Sequence, residues 1–142
     1  MSRRNDRMHA FRLVFQSDFN QYRSDSETID SYFECFGFGD DSKERSESVD
    51  RQFVESEFLG TMENLKQIDE IIEKYAVGFL ISRLSKMDLA ILRLAVYEFF
   101  NTDIPIGVTV NEAVELSKTY STDEAPPFIN AILGNIAKEV KK

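Results

Sequence analysis

Residues 86–100 read KMDLAILRLAVYEFF. Leu89, Leu92, Val96, Phe99 and Phe100 recur at three and four, and Ile91 and Leu94 widen that stripe, so the segment predicts a central helix that is apolar over much of its girth. Asp88 sits in its first turn, where an acid favours the helix dipole. The same period continues in both directions. Downstream, Pro105 and Gly107 mark a turn, and Thr109 with Glu112 has capping-box spacing for a helix through Tyr120. Pro126 and Pro127 suit the first turn of a last helix carrying Phe128, Ile132, Leu133, Ile136 and Val140. Upstream, Val54, Phe58, Met62, Leu65, Ile68, Ile72 and Tyr75 predict one long helix, with Gly60 allowing a neighbour to pack closely. Ser24 and Glu27 can box the start of a short helix bearing Ile29, Tyr32, Phe33 and Phe36, which Gly37 and Gly39 end. Met8, Phe11, Phe15, Phe19 and Tyr22 place an apolar stripe on a first helix. With only three prolines in 142 residues, the reading is all-α, with about seven helices.

At 42% hydrophobic residues the chain can bury one core, which makes one domain the expectation. The net charge of −8 is unevenly spread: residues 1–23 carry +3, residues 24–63 carry −9 and the remainder −2. An acidic body opposes indiscriminate binding to nucleic acid or anionic membranes, while Arg3, Arg4, Arg7 and Arg12 give the basic segment, residues 1–12, a local affinity for anions. GDDSKERSESVD, residues 39–50, reads as an exposed acidic loop. The single cysteine, Cys35, excludes an internal disulfide and a cysteine-based zinc site, and fits a reducing cytoplasm. The charged opening predicts no secretion signal, and no segment approaches the roughly 20 apolar residues of a membrane span.

Walker loops, dinucleotide glycine fingerprints, nucleophile elbows and paired cysteine motifs are all missing. His9 and Cys35 are the only candidates for a nucleophilic pair, and the arginines around His9 suggest a surface contact instead. Glu98, Glu112 and Glu115 could converge, but a di-iron bundle site needs two Glu-x-x-His pairs and the chain has one histidine. Glu112 reads more simply as a cap, and Glu115 as a solvated acid. No enzyme activity, metal or cofactor is therefore expected. The chemistry that does stand out is SRRNDR, residues 2–7, because guanidinium groups grip phosphate bidentately.

RLSKMDLAILRLAVYEFF at 83–100, IPIGVTVNEAVELSKTY at 104–120 and FINAILGNIAKEV at 128–140 resemble, in order, the NusB family of bacterial transcription antitermination factors. NLKQIDEIIEKY at 64–75 and the arginine-rich opening RRNDRMHAFRLVFQ at 3–16 extend the likeness. Residues 24–52 match weakly, and the acidic loop is longer than usual for the family. The resemblance implies two small helical bundles within a single domain, and a non-catalytic protein that pairs with NusE, a small-subunit ribosomal protein. Together they would bind boxA RNA and join the antitermination complex on RNA polymerase, chiefly during ribosomal RNA synthesis.

The resemblance also implies roles for particular residues. Arg3, Arg4 and Arg7 fall where the family's basic segment meets RNA, and would neutralise phosphates. Phe15 takes a position usually held by tyrosine, where it would stack on a base or serve as plain core. Phe128 and Asn130 match the family's Phe-Val-Asn-Gly start of the last helix, which borders RNA. Asp88 corresponds to an acidic position at the NusE contact. Ala131 replaces the usual glycine and Gly134 a common aspartate. With Phe15 and the enlarged loop, these departures leave open a helical protein–protein adaptor that has lost RNA binding. A homodimer formed through the RNA-facing surface also stays open.

Overall fold

The structure, a computed structural model, describes residues 3–19, 23–35, 49–76 and 84–141. Among them it holds seven α-helices and no strand: α1 (Arg3–Ser17), α2 (Asp25–Cys35), α3 (Arg51–Glu63), α4 (Leu65–Tyr75), α5 (Lys86–Asn101), α6 (Ile106–Tyr120) and α7 (Ala125–Ala137). Tyr22, Phe36, Gly37, Gly39, most of the acidic loop and the start of the segment before α5 lie outside the described residues. Helices α1–α3 pack together, α4–α7 pack together, and α5 touches α1, α3, α4, α6 and α7. Residues 86–100 thus form the central helix, buried at every position from Leu89 to Phe99 except Tyr97. Phe100 departs from its expected stripe and is 42% exposed.

The predicted long helix is two helices broken at Asn64. The Asn64 side-chain amide donates to the Gly60 carbonyl at 2.8 Å, and the Asn64 backbone N–H donates to the same oxygen at 3.2 Å. Such side-chain competition for a helical carbonyl lets the chain turn. The turn delivers α3 to the first bundle and α4 to the second. Arg93 on α5 then fastens α4 by a bidentate pair with Asp69, both contacts 2.8 Å.

The caps divide. Ser24 and Glu27 form the expected reciprocal box, at 2.9 and 3.1 Å, and Pro126 and Pro127 lie in the first turn of α7. The box at Thr109 and Glu112 does not form. Pro105, its ring holding φ at −58° with ψ at 141°, starts α6 earlier, and its carbonyl accepts from Val108 and Thr109. Thr109 is left a full turn inside and buried.

Helix α1 also differs from its expected stripe. It is covered by α2 and α3 on one side and α5 on another, so Ala10, Leu13 and Val14 join Phe11 in the core. Met8 and Phe15 are only half-buried, and Phe19, beyond the helix end, is 59% exposed.

Gly60 meets its expected role. A methyl group at this position would overlap the Tyr97 ring of α5. Gly60→Ala would gain about 1 kcal/mol of helix propensity, yet is expected to cost about 1–3 kcal/mol net because overpacking forces the ring aside. Denaturant unfolding checks this, and Tyr97→Ala in the same chain should relieve most of the cost.

Candidate nucleic-acid interface

Three arginines occupy the first turns of α1, where the dipole already presents partial positive charge. Cations there are unfavourable for the helix, and acids from three other places offset them. Arg3 reaches Asp6 and Asp50, each at 3.3 Å, and its guanidinium lies 4.0 Å from the Phe53 ring centre. Asp50 caps α3 by accepting from the Phe53 N–H at 3.1 Å, and its own N–H donates to Asp6 at 2.9 Å. The Phe53 amide, assisted by Arg3, holds the Asp50 carboxyl below the usual carboxylate range. Arg4 donates through Nε and Nη2 to the two carboxylate oxygens of Glu112 on α6, both at 3.0 Å. That hydrogen-bonded pair raises the Arg4 pKa further above its ordinary value. Both arginine side chains remain open to solvent, at 50% and 60% exposure.

Arg7 is different. Its side chain is 6% exposed and donates from Nε to Glu98 of α5 at 2.9 Å, while Thr109 donates to the other Glu98 oxygen at 2.8 Å. Glu57 of α3 completes the cluster. Burial, then its hydrogen bond to Glu98 and the charge there, push the Glu57 carboxyl up to about 10. It is therefore neutral near pH 7, leaving one buried anion on one buried cation. Arg7 points into the protein, not to the surface expected of a phosphate ligand.

Further along α1, Arg12 donates to the Tyr120 hydroxyl at 2.9 Å. Arg4 to Glu112 and Arg12 to Tyr120 share one sequence offset, so α1 and α6 run parallel and in register. Between them lies a groove of about 150 Å³, lined in part by Arg4, Met8, Leu116 and Tyr120. Phe15, one turn past Arg12 on α1, belongs to a ladder of rings: 5.1 Å from Phe19, 6.3 Å from Phe11, and Phe11 5.1 Å from Tyr120.

Phe128 and Asn130 stand on α7, which packs against α6; Phe128 is half-buried on the core and Asn130 exposed. Asp88 is half-buried at the start of α5, where its backbone N–H donates to Ser85 and its carboxylate accepts from Ser121 at 2.6 Å. His9 corrects its expectation of a surface contact. It is 3% exposed and shares a 2.6 Å hydrogen bond with Tyr32, whose hydroxyl burial pushes up to about 12. Cys35 is exposed at the end of α2. Glu112 serves as the partner of Arg4 instead of a cap. Among the described residues, no group of three or more histidine, cysteine or acidic side chains could hold a metal ion.

Sequence reasoning missed Phe53, Asp50 and the pairing role of Glu112. The signal lay in chemistry, since exposed arginines at a helix N-terminus call for acids or a ring from elsewhere, but sequence spacing does not say from where.

With this geometry in place, the family match is direct: the NusB family model covers residues 4–138. The chain belongs to the NusB family. Transcription antitermination protein NusB of Natranaerobius thermophilus is 42% identical over 143 residues, spanning 100% of this chain and 99% of that protein. Its Acetivibrio thermocellus counterpart is 41% identical over 139 residues, spanning 97% and 90%. A solved structure of T. maritima NusB superposes with a TM-score of 0.83 at 34% identity, covering 100% of this chain and 94% of that one. A structure of antitermination factors NusB and NusE in complex with dsRNA gives 0.78 at 25% identity, covering 96% of each chain. The NusB family thus accounts for the all-helical fold. No helix among the described residues is long and apolar enough to cross a membrane.

Proposed function

We propose that this NusB-family chain is an RNA-binding transcription antitermination factor, a non-catalytic cytoplasmic adaptor that pairs with NusE. With NusE it binds boxA RNA and supports the antitermination complex on RNA polymerase during ribosomal RNA synthesis. The observation that carries this reading is the pair Arg3 and Arg4, solvent-facing at the N-terminal end of α1 and steadied by Phe53 and Glu112. A helix N-terminus bearing two held guanidinium groups suits phosphate, through both dipole and bidentate donors. The relative solved with NusE and dsRNA supports the same assignment. In this reading Phe15 stacks on a base, Phe128 and Asn130 border RNA from α7, and Asp88 faces NusE. Arg7 serves to hold α1 in place.

The pairing of Arg3 and Arg4 with Asp50, Asp6 and Glu112 favours weak binding by the free protein, because phosphate must share or displace those carboxylates. It also favours the second reading, an adaptor that has lost RNA binding. Salt dependence separates the two. Replacing Arg3 and Arg4 together by alanine should weaken boxA binding in the presence of NusE. It should also reduce the slope of log K against log salt by about 1.4, given about 0.7 per phosphate contact on single strands. An unchanged slope would rule out phosphate contacts by these residues.

A further inference from the structure

We propose that Phe19 is a base-stacking platform for single-stranded RNA, at the far end of a track along the α6 side of α1. The proposal rests on the RNA-binding reading above and extends it to residues that the family resemblance did not single out. Arg4, Met8, Arg12 and Phe15 follow one another at three and four residues along one edge of α1, and Phe19 continues that spacing just past the helix end at Ser17. The edge begins with an exposed cation and ends on a ring that is 59% exposed.

Phe19 is one of only three large hydrophobic side chains exposed among the described residues, and it belongs to the ring ladder instead of standing alone. Its ring meets Phe15 edge-on at 5.1 Å with 65° between the planes, so Phe15 braces it while leaving much of its surface in water. The ladder continues through Phe11 to Tyr120 and into the core, which fixes the outer rings in place. Beside it, the Arg12 guanidinium is 5.7 Å from the Tyr120 ring centre and donates to the Tyr120 hydroxyl. Arg12 thus sets a guanidinium at the middle of the track.

A row with cations toward one end and rings toward the other offers contacts to both the phosphates and the bases of a strand, and aromatic stacking tolerates any base. From Arg4 to the end of α1 at Ser17 the track is about 20 Å long at helical rise, enough for several nucleotides. An exposed ring could instead serve a protein contact, but the cations spaced along the same edge favour a polyanion.

The test uses the full chain with saturating NusE and a fluorescein-labelled boxA oligonucleotide. Phe19→Ala should weaken binding about tenfold, equal to about 1.4 kcal/mol, with an unchanged salt slope because stacking displaces no counterions. Phe19→Trp should stay within about twofold of wild type, and Phe19→Leu should behave like alanine, since it restores apolar bulk without a π face. The exposed position predicts an unchanged Tm for all three. Full affinity in Phe19→Ala or Phe19→Leu, with binding still weakened by loss of Arg3 and Arg4, overturns the stacking site and leaves the RNA reading standing. Loss of NusE affinity by Phe19→Ala in an RNA-free titration also overturns it, assigning the ring to the protein partner. A wild-type chain that binds no RNA overturns the parent reading, and this proposal with it.

Discussion

Replacing Arg7 with alanine is expected to destabilise the protein by about 3–5 kcal/mol, the usual cost of leaving one member of a buried ion pair alone. Glu98 is 1% exposed, and losing Arg7 would leave its carboxylate with the Thr109 hydroxyl and the Glu57 carboxyl as neutral partners. The pair also joins α1 to α5, so its loss loosens the helix that carries Arg3 and Arg4. At about 3 °C per kcal/mol for a chain of this size, Tm should fall by about 10 °C. Exchanging both partners for glutamine removes the two charges together, keeps an acceptor for Thr109, and should recover most of the loss. If Arg7→Ala melted like wild type, the ion pair would not be a structural element. If the double glutamine variant were as unstable as Arg7→Ala, charge imbalance would not be the cause.

Glu57→Gln is expected to stabilise the protein, by an amount that grows with pH. The folded state holds the Glu57 carboxyl neutral, its pKa pushed from 4.5 up to about 10 by burial and by Glu98. The unfolded chain releases that proton above 4.5, so between about 4.5 and 10 the native state binds more protons than the unfolded one. The sign follows: this group favours folding fully at acid pH, and its contribution is lost as pH rises through that window. One proton of difference is worth about 1.4 kcal/mol per pH unit. Glutamine is neutral in both states and can still donate to Glu98. Urea unfolding of both chains at pH 5, 6, 7 and 8 should show the variant ahead by about 1 kcal/mol or less at pH 5 and by several at pH 8. A gap that does not widen with pH would mean Glu57 is ionised in the native protein.

Periodicity made the central helix legible, because a helix surrounded by five others must be apolar nearly all round, and KMDLAILRLAVYEFF is. Local signals with a single solution, such as the Ser24 box, the Pro126–Pro127 start and the small residue beneath Tyr97, were legible as well. The break at Asn64 was not, since the apolar period runs through it and only a side-chain hydrogen bond diverts the backbone. On α1 the sequence pattern showed which residues were apolar, whereas the number of neighbouring helices decided which were covered. Arg3 and Arg4 read correctly as exposed cations on a basic end, but Arg7 did not. One turn separates them, and whether that turn faces water or Glu98 depends on a helix more than ninety residues away. Long-range pairing of charge is the part of a site that spacing cannot reveal.

The proposed function is recognition of boxA RNA with NusE as partner. It is tested most directly by fluorescence anisotropy, titrating labelled boxA RNA and a scrambled control with the protein, with and without NusE, at two salt concentrations. Preference for boxA, tighter binding when NusE is present and weaker binding at the higher salt are expected. Equal affinity for boxA and the scrambled control, with NusE still bound, would contradict it and leave a helical protein–protein adaptor.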